Sequence, residues 1–490
     1  MRAEMKTTGW KHIFGSLFLA VWAGAALGNN IRVTALSLEG AGTPAGTVDV
    51  QFNVSWSNSW RAAWTEVGAN NVSGANLDVE NWDAAWVFIK WRDTSAGAWS
   101  HATLDPSAHT APDGVTISAS DGTGAFIYRS AAGSGGFDKT VKLRWNRQAD
   151  GAGSEIDVSV QAIEMVYVAQ GAFKVGSGST SESGSFTDGS WVSGATIPFM
   201  IAGEGALLIT NSAGNLWGTS VAGNNSIGGV GTLSNAFPKG YNAFYCMKYP
   251  ITQGQYADFL NLLTPAQAGN RYSAASTGSR YTISGSHPGF TASAPDRACN
   301  FLNWEDGATY AAWAGLRPMT ELEYEKACRG PLNPVTNEYA WGSVDLFQTT
   351  NYINDGTSAE AALPATANCT YNGSASAKGP IRAGAFATAD SGRVAAGASY
   401  WGIMELSGNL WKRPVSVGHA KGRAFTGSHG AGTVTLPADW PAADSNGSGV
   451  RGGDYNSANT YMRVSDRTYA ALPGPTRYNV GGWRGVRKAP

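Results

Sequence analysis

The chain has 490 residues, a formal net charge of −1 and only 14% charged residues, so no strong field draws it to nucleic acid or to acidic membranes. Its 63 glycines and 19 tryptophans argue against a helical bundle and, because disordered chains lack aromatics, against disorder. The length accommodates two or three domains.

The N-terminus reads as an export signal. Lys6, Lys11 and His12 precede the apolar run "IFGSLFLAVWAGAAL", and Ala26 and Gly28 supply the small residues that a signal peptidase requires. Residues 1–28 are therefore expected to be a cleaved signal peptide and the mature chain to be exported, to the periplasm, the cell surface or the medium. No later stretch is long and apolar enough to span a bilayer. Cys246, Cys299, Cys328 and Cys369 contain no CxxC spacing; export permits bridges, and Cys246–Cys299 is the expected one.

Residues 29–162 read as an immunoglobulin-like β-sandwich. "VDVQFNVSWSNSW" alternates apolar and polar residues, and "AAWVFIKWRD", "GAFIYRS", "TVKLRWN" and "SEIDVSVQAIE" continue in strand-like pieces between Gly, Ser, Asn and Asp. Trp56, Trp60, Trp82, Trp86 and Trp91 are expected in the core rather than on a sugar platform. From residue 163 the character changes. A Gly/Ser-rich loop follows "IEMVYVAQGAFKVGS", and then helix signals appear. Thr252 with Gln255, and Thr320 with Glu323, have capping-box spacing, and Gly315 ends a helix before the second box.

Six motifs in order give these later residues a resemblance. "EMVYVAQGAFKVGS", "FYCMKYPITQGQYADFLN", "NWEDGATYAAWAGLRPMTELEYEKACRG", "GIMELSGNLWKRP", "VRGGDYNS" and "GWRGVR" are similar to the motifs of the formylglycine-generating enzyme, or sulfatase-modifying factor, family. The resemblance covers roughly residues 163–490. It implies an α+β chain: the sandwich followed by the family's variant of the C-type lectin fold, with modest sheets, two helices and much ordered coil.

Activity does not follow from fold. The family's oxidases bind copper(I) through a cysteine pair shortly after the Gly-Gly motif. Ser457 and Met462 stand at those places here, so copper is not expected and no catalytic residue is assigned. The histidines show no spacing that would pair two on one helical face, which argues against the iron chemistry of the related sulfoxide synthases. Calcium stays open, although Lys412 replaces the acid of the family's "GNxWE" and "NYINDG" reads more simply as a turn. No cofactor and no metal ligand set is expected.

The C-terminal segment carries the functional expectation. Gly452 and Gly453 permit close backbone approach, and Arg463, Asp466 and Arg467 are expected in an internal polar lattice. Between and after them stand Asp454, Tyr455, Asn456, Ser457, Asn459, Thr460, Tyr461, Tyr469, Tyr478, Asn479 and Trp483. Tyr, Ser, Asn and Thr on a rigid frame are paratope-like. The mixture resembles the variable segment of diversity-generating retroelement proteins. The expectation is a non-enzymatic recognition surface for a protein or glycan, with Tyr455, Asn459, Tyr461, Tyr469 and Tyr478 exposed on one face. An enzyme of altered chemistry and a self-assembling surface or filament subunit are the alternatives.

Overall fold

A computed structural model describes residues 3–6 (backbone only), 30–40, 45–94, 97–192, 195–373 and 377–490. Most of the expected signal segment lies outside the described residues; Ala3–Lys6 pairs antiparallel with Asp157–Val160.

The N-terminal residues form two antiparallel layers. In the first, Arg32–Glu39 and Gly133–Trp145 both pair with Val48–Glu66. In the second, Leu77–Asp93 is flanked by Ala125–Arg129 and by Ile156–Val168. The strand Val48–Glu66 joins the layers. A register shift between Trp56 and Ser59, with Asn58 at φ 56°, bends it so that its last residues pair with Leu77–Trp82 instead. Val50, Phe52, Val54, Phe137 and Leu143 of one layer meet Ala85, Val87, Ile89 and Val158 of the other in one core. Trp56, Trp82, Trp86 and Trp91 are buried as expected, but Trp60 is only half-buried and donates its Nε1–H to Asn81 Oδ1 at 2.7 Å.

The second layer is buried on both faces. Every residue from 81 to 91 is buried. Ala85, Val87, Ile89 and Trp91 face the core between the two N-terminal layers, whereas Ala84, Trp86 and Phe88 join the core of the C-terminal residues. That explains why "AAWVFIKW" is apolar at every position but Lys90, where a half-solvated strand would alternate. The sheet runs on through Ile156–Val168 to Phe244–Met247, then Gly485–Lys488 and Arg317–Pro318. The boundary expected near residue 162 thus falls within a strand shared by both units.

Polar groups stitch the seam. Lys90, fully buried, donates to the carbonyls of Trp313 (2.7 Å) and Gly432 (2.6 Å) and lies 3.0 Å from His101 Nδ1. Lys248 reaches Glu164 at 3.1 Å and Asp83 at 3.4 Å.

Helices α1 (Gln253–Asn261), α2 (Pro265–Arg271), α3 (Trp304–Trp313), α4 (Glu321–Arg329) and the one-turn α5 (Ala420–Arg423) stand beside short two-stranded sheets and two 3-10 turns. The Thr252/Gln255 and Thr320/Glu323 capping boxes form as expected. Two further boxes, Thr264/Gln267 and Asn303/Asp306, start α2 and α3. Among the described residues no helix is long and apolar enough to cross a membrane.

All four cysteines are buried free thiols, so the expected Cys246–Cys299 bridge is not formed. Cys246 packs with Met319 and Tyr324, and Cys299 belongs to a different core cluster with the α1 and α3 aromatics.

Candidate functional site

The C-terminal segment is laid out on a backbone ladder. Residues 408–412 run between two arms. On one side Gly408 N donates to Gly452 O, Lys412 and Arg451 exchange bonds, and Tyr455 N donates to Asn409 O. On the other, Trp411 N donates to Val480 O and Gly482 N to Trp411 O. Segments 452–462 and 478–483 are therefore neighbours, with Trp411 between them.

The turn demands glycine. Gly452 and Gly453 have φ of 76° and 64°; a Cβ on Gly452 would lie 2.2 Å from Leu406 O, and one on Gly453 2.6 Å from Met462 Cγ. Asp454 then caps the next turn, accepting from Asn456 N at 2.7 Å and from the Ser457 hydroxyl. Beneath the ladder Lys412 is buried and donates to Gly408 O at 2.5 Å, with Gly452 O and Gly453 O each at 3.4 Å. Burial, and then the charge of Arg484, push its ammonium down to about 7.

A charged lattice fixes the frame from below. Arg467 is bidentate on Glu321 (2.7 and 3.0 Å) and donates to Gly184 O at 2.8 Å. Arg451 bridges Glu321 (2.9 Å) and Glu325 (2.7 Å). Arg329 joins Glu325 and Glu338. Every residue of α4 is buried although five of its nine are charged. Burial alone would raise Glu321, but the Arg467 and Arg451 guanidiniums hold its carboxyl below the usual range.

The expected surface residues divide. Asn456, Asn459, Tyr478 and Asn479 are exposed, and Ser457, Thr460, Tyr461 and Tyr469 are half-buried. Asp454, Tyr455 and Trp483 are buried, contrary to expectation. Asp454 is consumed by its turn, and burial raises its carboxyl despite the Ser457 hydroxyl. Tyr455 packs with Ala298 and Leu410, and Trp483 lies over Gly307, whose missing side chain makes the room. Val464 and Arg467 point inward as expected, but Arg463 is half-buried. Asp466 accepts from the Thr468 N–H at 3.1 Å and the Thr468 hydroxyl at 3.2 Å, while the Arg451 charge only partly offsets the upward push of burial on its carboxyl.

Trp411 is the residue that sequence reasoning missed. It is half-buried, with ring centroids 6.3 Å from Tyr461 and 5.8 Å from Tyr469; those two tyrosines are 5.4 Å apart. The Trp of "GNLWK" was the available signal.

The donor set does not suit a copper(I) oxidase. Ser457 is tied to Asp454. Met462 Sδ lies 3.7 Å from Cys369 Sγ, but both are buried, and burial pushes the Cys369 thiol up to about 12, which keeps it protonated. Among the described residues no group of three or more His, Cys, Asp or Glu is placed to hold a metal. The acids of "NYINDG" and its return strand are taken by arginines: Asp355 meets Arg280 at 2.8 Å, and Glu360 pairs with Arg280 and Arg297.

Residues 222–489 match the family described as Sulfatase-modifying factor enzyme 1-like domain. Among curated proteins, hercynine oxygenase from Mycolicibacterium smegmatis is 28% identical over 118 residues, which is 24% of this chain and 21% of that protein. Hercynine oxygenase from Mycolicibacterium thermoresistibile is 29% identical over 119 residues, 24% and 20% of the two chains. The chain thus matches about a fifth of the length of these relatives.

Proposed function

For a chain that belongs to the sulfatase-modifying factor enzyme 1-like family, matched over more than half its length, we propose an exported, non-enzymatic recognition protein whose C-terminal surface binds a ligand. The observation that carries this reading is the division of labour within residues 451–483. Arg451, Gly452, Gly453, Val464 and Arg467 are buried frame, whereas Asn456, Asn459, Tyr478 and Asn479 are exposed, with Asn479 donating to Ser279 Oγ at 2.8 Å. A rigid scaffold that presents exposed Tyr and Asn side chains limits the entropy lost on binding. The fold we assign to the C-terminal unit is the family's lectin-type variant, with the N-terminal layers as an immunoglobulin-like mount. A retroelement that rewrites the exposed positions fits the same division. Sequencing sibling genes tests it, with changes expected at 456, 459, 478 and 479 and none at 451–453.

The test of the recognition reading is selection on the immobilised chain from a displayed peptide library and a glycan array. Ligands recovered should lose affinity on Tyr478→Ala or Asn459→Ala and keep it on Phe347→Ala, an exposed aromatic elsewhere. Equal losses from both, or none from the first two, would sink the reading.

The matched relatives favour a second reading, an oxygenase-like enzyme. Oxygen uptake by the iron(II)-loaded protein with hercynine, abolished by a substitution in 452–467, would establish it in place of the first.

A further inference from the structure

We propose that Trp411, Tyr461 and Tyr469 form a platform for one pyranose ring of an uncharged glycan; this rests on the recognition reading above and names its ligand class. Three aromatic side chains from two separate segments converge here, each only half-buried. They meet at tilted and edge-on angles of 40° to 84°, so they form a shallow cup and not a closed stack. The negative π faces of such a cup attract the polarised C–H face of a sugar ring. Tyr461 and Tyr469 lie side by side, their ring centroids 5.4 Å apart, and the neighbouring Tyr461 holds the Tyr469 hydroxyl above the ordinary phenol range.

The charge pattern selects the class. The charged side chains at 411–413 and 452–469 are Lys412, Arg413, Asp454, Arg463, Asp466 and Arg467, and all but Arg463 are buried. Apart from the half-buried Arg463, the groups these two segments leave beside the cup are neutral hydrogen-bonders. Asn459 and Thr460 precede Tyr461 in the same short 3-10 turn, and Asn456 begins the approach to it. Such a surface offers an anionic polymer almost no counter-charge. It offers a neutral sugar both requirements: an apolar face to stack on and uncharged partners for the ring hydroxyls.

The full chain is tested against an array of neutral oligosaccharides, anionic glycosaminoglycans and polyuronates, and displayed peptides, at low and high salt. Wild-type protein is expected to retain at least one neutral glycan, with little salt dependence because no ion pair is involved. Trp411→Ala and Tyr469→Ala are expected to weaken that binding by about ten-fold or more, as hot-spot truncations do. Trp411→Phe, which keeps a ring, should recover part of it even if the alanine variants melt early. No retained neutral glycan, salt-sensitive binding to the anionic ones, or full binding by Trp411→Ala overturns the proposal. If peptides alone are captured and Tyr478→Ala or Asn459→Ala releases them, the glycan class fails while the recognition surface stands. If nothing is captured through either set of residues, both fail.

Discussion

Arg467→Ala removes the cation that joins α4 to the C-terminal segment. In the folded chain its guanidinium satisfies both Glu321 oxygens, donates to Gly184 O, and lies 4.2 Å above the Phe186 ring. Deleting one partner of a buried pair costs about 3–5 kcal/mol, because the other charge stays desolvated. Glu321 would keep Arg451 at 2.9 Å, Ser416 Oγ at 3.1 Å and Val417 N at 2.9 Å, which lowers the cost. Gly184 O would lose its charged donor, which raises it. A loss of about 3–4 kcal/mol is expected at neutral pH. The linkage has a definite sign. Glu321 is held below its ordinary value, so its contribution is present above the unfolded carboxyl pKa, about 4.3, and is lost as the pH falls through the folded value. Without Arg467 that depression relaxes, and the gap between wild type and variant should narrow as the pH drops from 7 toward 3. Urea unfolding followed by tryptophan fluorescence at several pH values measures both quantities. A loss under about 1 kcal/mol, or a gap unchanged between pH 7 and about pH 3, would refute the lattice as the frame's support.

Three further outcomes are expected. Tyr478→Ala, at an exposed side chain, should leave stability within about 0.5 kcal/mol, whereas Tyr455→Ala should cost about 3–5 kcal/mol; paired melting curves compare them, and similar shifts would contradict the burial assignments. Burial depresses Lys412 to about 7, so between pH 7 and 10 the unfolded chain holds a proton that the folded chain releases, and stability gains from rising pH. Lys412→Met should flatten that slope in urea titrations, and an unchanged slope would place the lysine in a wetter site. The denatured, unreduced chain should take up four equivalents of an alkylating reagent and the native chain none, by intact mass; two equivalents would mean a bridge.

What could be read from sequence was local or periodic. A capping box needs only two residues three apart, so Thr252/Gln255 and Thr320/Glu323 were visible before any packing was known. The N-terminal strand Val48–Glu66 announced itself by alternation and punctuation. Tyr455 and Tyr478 could not be told apart, because the same side chain serves as a core plug or a free probe according to which backbone segment covers it. The charged face of α4 was equally opaque: "ELEYEK" looks solvated until Arg451 and Arg467, more than 120 residues later, arrive to neutralise it. Trp411 was hidden for the opposite reason. It sits inside a motif whose neighbours drew attention, and its role depends on two tyrosines from another arm of the ladder.

A ribbon that is interior on both sides has no spare face, and residues 81–91 of the strand Leu77–Asp93 are such a ribbon. Cutting the gene near codon 162 would strip one half of its wall and leave the other with Trp86 and Phe88 in water, so neither piece should express as a soluble protein. Grafting the recognition end onto another mount would have to carry this strand along, with its even-numbered side chains intact. The apparent junction between modules is better regarded as a party wall, and exchange of parts among relatives has to respect it.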